Sequence, residues 1–316
     1  MLTSLLFIAF GLGLLILGAS WLVEGASALA QRYRVPDLVI GLTIVAFGTS
    51  APELVVNTLA AYQDHPSIVL GNILGSNFFN LFLILGLAGL ITPLTVQSGT
   101  VRREIPLSLL AVLLLFGLSN DYLETGPAVV SRVDGGILLF FFGLFLWTSF
   151  RSSPVEVDGE MVTPPACSVW KIGAYILLGL LGLVLGGKWV VEYAVALAQN
   201  LGVSEKIIGL TLVAAGTSLP ELATSVVAAF KKRNDIAVGN VIGSNLFNTF
   251  FIMGTSAMVR PISYDTSFNL LQALLIGGTA FLLLAMFTGK RKVLDRWEAA
   301  LLVVGYLGYT GFLLHT

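Results

Sequence analysis

Two short stretches of this 316-residue chain hold residue types that could do chemistry. Gly48-Thr49-Ser50-Ala51-Pro52-Glu53 and Gly216-Thr217-Ser218-Leu219-Pro220-Glu221 each set a carboxylate, two hydroxyls and a proline inside an apolar run. A carboxylate at the centre of a bilayer costs about 2.5–3.5 kcal/mol even on lenient insertion scales, so a duplicated one calls for a counter-charge. On a helix, Ala46, Thr49, Ser50 and Glu53 share one face. Pro52 has no N–H and its ring collides with the carbonyl four residues back, which predicts a kink or break with free carbonyls at Ala46 to Gly48. The next apolar run adds Asn72, Ser76 and Asn80 on one face, and Gly71 and Gly75 on a neighbouring stripe that permits close helix approach. The second set is Ala214, Thr217, Ser218, Glu221, Asn240, Ser244 and Asn248.

Carboxylates, hydroxyls, amide oxygens and bare carbonyls suit a hard cation. Ca²⁺ takes six to eight oxygens, and two carboxylates match its charge; the same groups, fewer per ion, suit Na⁺. His65 and His315 fall in a loop and at the C-terminus, which disfavours zinc or iron. No Gly-xxxx-Gly-Lys-Ser/Thr occurs, so ATP is not an expected partner. No resident cofactor, catalytic residue or nucleic-acid partner is expected; the expected partners are Ca²⁺, Na⁺ and the lipid bilayer.

The elements that must position these residues read as membrane spans. The chain is 56% hydrophobic and 11% charged, far from the roughly 25% charged residues of soluble domains. Apolar runs fall at 2–29, 37–62, 66–91, 103–119, 126–150, 169–198, 205–230, 235–259, 267–288 and 297–314. The fourth is short of a full span unless Val101 to Glu104 joins it. The start of the chain lacks a basic n-region and reads as the first span.

The halves repeat. A shift of 168 aligns Gly41–Pro93 with Gly209–Pro261 without a gap, with 25 of 53 positions identical, and carries Glu24 onto Glu192. Five spans per half would insert the second half upside down. With the N-terminus outside, alternate breaks collect thirteen basic residues inside: Arg32, Arg34, Arg102, Arg103, Arg151, Lys171, Lys231, Lys232, Arg233, Lys290, Arg291, Lys292 and Arg296. Only Arg132, Lys206 and Arg260 fall outside. This bias supports ten spans with both termini outside and two inverted repeats, 1–150 and 169–316, about a cytoplasmic linker at 151–168.

The paired Gly-Thr-Ser-x-Pro-Glu segments, each followed by Gly-Asn-x-x-Gly-Ser-Asn-x-x-Asn, resemble the alpha repeats of the sodium/calcium exchangers of the calcium/cation antiporter superfamily. The resemblance implies an all-α polytopic membrane protein of ten transmembrane helices in two inverted five-helix repeats, with discontinuous helices 2, 3, 7 and 8 at the core. It implies that Glu53 and Glu221 hold Ca²⁺ between them with backbone carbonyls near Thr49 and Thr217. It further implies that Ala46, Ser50, Ser76, Ala214, Ser218 and Ser244 line flanking Na⁺ sites, with Asn80 and Asn248 beside the central pair. Some relatives place an acid where Asn248 stands, and the amide here leans towards a potassium-independent exchanger. The short linker points to the bacterial or archaeal type, in the plasma (inner) membrane. The glycine-rich first and sixth spans (Gly11, Gly13, Gly18; Gly179, Gly182, Gly186, Gly187) resemble the family's sliding gate.

The activity expected is export of Ca²⁺ against Na⁺. Exchange of H⁺ for Ca²⁺, export of another divalent ion such as Mn²⁺, a passive cation channel and an intramembrane enzyme are the rival readings. Elsewhere the residues read plainly. Asn77 and Asn245 lie off the Asn72/Ser76/Asn80 stripe and read as helix packing, Glu24 and Glu192 as interfacial structure, and Lys231-Lys232-Arg233 as a topology determinant. Glu156, Asp158 and Glu160 read as a solvated loop, and the lone Cys167 as a loop residue without a redox role.

Overall fold

The computed structural model describes residues 2–33, 35–120, 128–151, 168–200, 214–288 and 292–315. The expectations for Arg34, Glu156, Asp158, Glu160, Cys167, Lys206, Lys290 and Arg291 lie outside the described residues. Only the backbone of Ala214 is described.

The first half runs α1 (Leu2–Tyr33), α2 (Asp37–Thr49), α3 (Ala51–Tyr62), α4 (Pro66–Ile91), β1 (Leu94–Thr95), α5 (Ser98–Arg102), α6 (Glu104–Asn120), β2 (Val129–Val130) and α7 (Arg132–Arg151). The second half runs α8 (Val169–Asn200), α9 (Ala214–Gly216), α10 (Leu219–Phe230), α11 (Asn234–Val259), β3 (Ile262–Ser263), α12 (Asn269–Ala285), β4 (Val293–Leu294) and α13 (Arg296–His315). Six of the described helices are long and apolar enough to cross a membrane, and seven when α2 and α3 are taken as one span bent by 50°. The other expected crossings correspond to α6 with 17 residues, α10 with 12, and α13 with 20.

Local chemistry sets the boundaries. Arg103 leaves helical geometry (φ −128°, ψ −63°), so Val101 does not extend the fourth span; it belongs to the separate helix α5. The fifth span starts at Arg132 and not at 126. Ser131 N donates to Asp134 Oδ2 at 2.7 Å and Asp134 N to Ser131 Oγ at 3.2 Å, a reciprocal capping box that fixes the first turn there. The ends of α3 and α10 are closed identically. Asp64 N donates to Ala61 O and His65 N to Ala60 O, and 168 residues later Lys232 N donates to Ala229 O and Arg233 N to Ala228 O. Asp64 and Lys232 take positive φ (64° and 58°), the left-handed residue of a Schellman stop.

α11 lies at the centre of the fold. Its hydropathic window is 94% buried and that of α4 is 72%, against 22% for α7 and α8. Neither α4 nor α11 is discontinuous, contrary to expectation. Each has no interior proline to break it, and instead carries a π-turn, at Phe79–Ile84 and Phe247–Ile252. α1 and α8 pack antiparallel through glycine. A Cβ on Gly18 would stand 2.7 Å from Gly179 O and 2.8 Å from Leu183 N, and one on Gly11 would stand 2.9 Å from Gly186 O. Of the glycines expected at this contact, Gly13 faces open space and Gly187 meets Pro220 at 3.8 Å, an ordinary contact. Antiparallel β1–β4 and β2–β3 pairs tie the halves together.

Candidate cation site

The two motif segments break at the serine after the threonine, at Ser50 in the first and over Thr217–Ser218 in the second. Ser50 (φ −86°, ψ 5°) separates α2 from α3, and Ser218 (φ −91°, ψ 8°) precedes α10. The proline two residues on is well accommodated in the first turn of the new helix, where its missing N–H has no carbonyl to serve. Glu53 and Glu221 consequently fall in the first turns of α3 and α10, at the positive ends of two half-helix dipoles. The Ala46 carbonyl is not bare, as the proline argument suggested. It accepts from Ser50 N at 2.9 Å and has Thr49 Oγ1 at 3.2 Å, because Ser50 completes the last hydrogen-bonded turn of α2.

Side chains from the two halves meet here. Ser50 Oγ donates to Glu221 Oε1 at 2.9 Å and lies 3.1 Å from Ser244 Oγ. Thr49 Oγ1 donates to Asn240 Oδ1 at 3.2 Å, and Asn72 Nδ2 donates to Thr217 Oγ1 at 3.2 Å. Glu53, Glu221, Ser50, Ser76, Ser218, Ser244, Asn80 and Asn248 are all at most 2% exposed. The two carboxylates are within electrostatic reach of each other. Asn72 is not joined by hydrogen bonds to Ser76 or Asn80, its neighbours on the predicted stripe; it bridges Asn57 and Thr217.

Asn77 and Asn245 do more than pack. Asn80 Nδ2 donates to Asn245 Oδ1 at 3.1 Å, Asn248 Nδ2 donates to Asn77 Oδ1 at 3.1 Å, and Asn77 Nδ2 donates to Thr249 Oγ1 at 2.8 Å. Asn80 and Asn248 are the second residues of the π-turns. A π-turn inserts one residue into the helix and rotates the side chains beyond it relative to those before it, a rotation that the 3.6-residue period does not anticipate. The amide nitrogens of Asn80 and Asn248 are thus consumed, and their Oδ1 atoms are left without a hydrogen bond.

Both oxygens of Glu53, Oε2 of Glu221 and the hydroxyls of Ser76 and Ser218 likewise make no hydrogen bond of good geometry, although Thr217 and Ser218 face Glu53, and Thr49 and Ser244 face Glu221. Buried acceptors without donors are costly, and seven of the sixteen unpartnered buried side-chain atoms among the described residues belong to these duplicated positions. The ion pairs among the described residues are Lys231–Glu24, Arg233–Asp37 and Arg260–Asp64, so no basic side chain compensates Glu53 or Glu221 there. No group of three His, Cys, Asp or Glu occurs among the described residues, and the unsatisfied donor set is all oxygen. Such a set is complementary to a hard cation.

Comparison with known proteins bears on which cation. The family model described as sodium/calcium exchanger protein matches residues 3–151 and 171–315. The chain belongs to the sodium/calcium exchanger family. Within this family it is 31% identical to the sodium/calcium exchanger MaX1 of Methanosarcina acetivorans, over 97% of each chain. It is 36% identical to the putative antiporter CaxA of Alkalimonas amylolytica, over 98% of each. The fold superposes on the sodium-calcium exchanger NCX_Mj, soaked with Na⁺ and Ca²⁺, with a TM-score of 0.83 at 29% identity over 97% of each chain. The exchanger family is one of cation antiporters, and antiport and ion transport hold for this membrane protein.

Two charged features lie apart from the cage. Glu24 meets Lys231 at 2.7 Å, and Lys231 Nζ also donates to Ser20 Oγ at 2.7 Å and Ser20 O at 3.2 Å. They line a cavity of about 340 Å³ with Val23, Ser27, Ala28, Gln31 and Arg233, which shares no residue with the cage. Lys231 is therefore a tie between α10 and α1 as well as a basic residue of the loop. Glu192, the counterpart of Glu24, makes no ion pair among the described residues.

Proposed function

We propose that the chain is a secondary antiporter that exchanges Na⁺ for Ca²⁺ by alternating access, normally exporting Ca²⁺ across a bacterial or archaeal plasma (inner) membrane. Glu53 and Glu221 hold Ca²⁺ between them, assisted by backbone carbonyls near Thr49 and Thr217. Ala46, Ser50, Ser76, Ala214, Ser218 and Ser244, with the same glutamates, hold Na⁺ on either side, and the Asn80 and Asn248 amides flank the centre. Because both ions draw on the same two carboxylates, occupancy by one disfavours the other, and exchange follows from that competition.

The observation that carries this reading is the set of three unpartnered carboxylate oxygens on two buried glutamates, one from each repeat, with no basic side chain paired to them among the described residues. A buried charge pair left uncompensated is strongly destabilising, and a bound cation supplies the missing charge.

The reading includes ten spans in two inverted repeats with both termini outside. Alternation places the connections at 94 and 294 inside and those at 130 and 262 outside, which agrees with the β1–β4 and β2–β3 pairs. It puts both partners of Arg233–Asp37 inside and both of Arg260–Asp64 outside. The antiparallel course of α1 and α8, equivalent spans of the two halves, also supports inversion.

The test is ⁴⁵Ca²⁺ uptake into sealed vesicles preloaded with Na⁺, beside vesicles preloaded with K⁺ or given only a pH gradient, for wild type and Glu53→Gln. Uptake that requires internal Na⁺ and disappears in the variant is expected. Uptake driven by the pH gradient alone would move the protein to proton-coupled exchange, and uptake indifferent to Glu53 would remove the cage from the mechanism.

A further inference from the structure

The cage is built from a duplicated sequence, yet its hydrogen bonds do not obey the duplication. In the second repeat Asn240 Nδ2 donates to the Glu221 carbonyl at 3.3 Å and to Ser225 Oγ at 2.9 Å. Its Oδ1 is thereby turned to Thr49, whose hydroxyl donates to it. In the first repeat the residue equivalent to Ser225 is Asn57, one turn beyond Glu53. Asn57 is fully buried. Its Nδ2 donates to the Glu53 carbonyl at 2.7 Å, the acceptor that Asn72 would otherwise serve, and to Asn72 Oδ1 at 2.7 Å. Both amide orientations are fixed by backbone carbonyls, which can only accept. Asn72 is therefore reversed relative to Asn240, and its Nδ2 donates to Thr217 Oγ1.

The two motif threonines end with opposite polarity. Thr49 spends its proton on Asn240, Ala46 or Glu221 and keeps its lone pairs. Thr217 spends a lone pair on Asn72 and has its proton left for Glu53. A cation is recognised by lone pairs, so the Thr49 end of the cage is the better oxygen donor. We infer that Asn57, set against Ser225, is a positioning residue that orients Asn72 and makes the cage bind cations unequally at its two ends. This rests on the exchange reading above, in which Asn57, Asn72 and Thr217 lie towards the outer face and Ser225, Asn240 and Thr49 towards the inner face.

Asn57→Ser gives the first repeat the residue of the second. Asn72 can then turn its Nδ2 to the Glu53 carbonyl and present Oδ1 to Thr217, as Asn240 does to Thr49. The test measures half-saturating Ca²⁺ for Na⁺-driven ⁴⁵Ca²⁺ exchange at each face, in right-side-out and inside-out vesicles, for wild type, Asn57→Ser, Ser225→Asn and the double swap. Wild type is expected to bind Ca²⁺ more weakly at the outer face. Asn57→Ser is expected to tighten the outer face roughly two- to tenfold, the size of one neutral hydrogen bond, and to leave the inner face unchanged. Ser225→Asn is expected to weaken the inner face by a similar factor, and the double swap to reverse the order of the two faces. A general loss of packing would shift both faces together, and that result overturns the inference, as does no shift at either face. If Asn57→Ser does not reach the membrane folded, Ser225→Asn decides alone, by the same sidedness. Absence of Na⁺-driven exchange in wild type would overturn the exchange reading itself, whereas exchange in wild type with both faces unmoved by the swaps removes only the role of Asn57.

Discussion

The contact between α1 and α8 can be tested by one methyl group. At Gly18 the two backbones are so close that a Cβ would meet Gly179 O at 2.7 Å, Leu183 N at 2.8 Å and Gly182 C at 3.0 Å, whereas ordinary contact begins at 3.4 Å. All three atoms are backbone, so no side chain can rotate away. Relief requires the helices to part by about 0.7 Å (3.4 − 2.7) over the central crossing. Overpacking of this kind costs about 1–3 kcal/mol, and small residues are what hold membrane helices in register. Separation would also draw Leu180 from Gly48, whose own Cβ would stand 2.5 Å from Leu180 Cδ2, and so disturb α2 just before the cage. Gly18→Ala is therefore expected to lower the thermal unfolding midpoint by several degrees and to slow Na⁺-driven ⁴⁵Ca²⁺ exchange. Gly13→Ala, on the same helix and facing open space, is the control for a methyl group in itself and is expected to match wild type. Identical melting and exchange in the two variants would refute the backbone contact as the surface on which α1 and α8 are registered.

Three further outcomes follow from single contacts. Asn248→Asp keeps the shape of the side chain but can replace the donation from Asn248 Nδ2 to Asn77 Oδ1 only when protonated; its exchange should fall as pH rises through the ionisation of the new carboxyl, and a pH profile parallel to wild type would refute this. Asn77→Ala removes the acceptor for Asn248 and the donor to Thr249, and with the Asn248 amide free to turn, apparent Ca²⁺ affinity should drop roughly tenfold; unchanged affinity would return Asn77 to simple packing. Lys231→Gln installs the residue that stands at the equivalent position, Gln63, and deletes a pair whose side chains are 31% and 50% exposed. Such a pair contributes at most about 1 kcal/mol, so a small loss of thermal stability that vanishes at high salt is expected, and a large or salt-independent loss would mean that the Ser20 contacts dominate.

Much of the cage was legible because its signal is doubled. A lone buried glutamate has many explanations, but Glu53 and Glu221 recur with the same hydroxyls and proline, and the structure links Thr49, Ser50, Asn240, Ser244 and Glu221 directly. Three features stayed hidden, each for a physical reason. The break falls at Ser50 and Ser218 because a proline is comfortable in a first turn, so its position marks the new helix and not the end of the old one. The π-turns at Phe79–Ile84 and Phe247–Ile252 have no compositional mark. Asn77 and Asn245, off the stripe by a 3.6-residue count, lie just before these turns and reach Asn248 and Asn80 of the opposite repeat. Asn57, by contrast, could have been found: it is four residues from Glu53 on the same helical face, and it is a polar position that differs between the repeats.

That last point shows where information lies in a duplicated chain. With 25 of 53 positions identical, the matched residues describe what both halves must do, which in the proposed exchange is to offer oxygen to a cation at the centre. They cannot describe any difference between the two faces of a membrane, since a perfectly repeated inverted pair would present the same cage from either side. Sidedness has to come from the unmatched positions that touch matched ones. Asn57 against Ser225 touches the cage through Asn72 and Asn240, and Lys231 against Gln63 ties α10 to α1 through Glu24. The first difference acts on the donors that a cation would meet, and the second on a helix contact outside the cage. Affinity and sidedness are thereby separable in this fold: Asn57→Ser and Ser225→Asn should each alter apparent affinity at one face, whereas exchanging residues 63 and 231 should leave half-saturating Ca²⁺ unchanged at both.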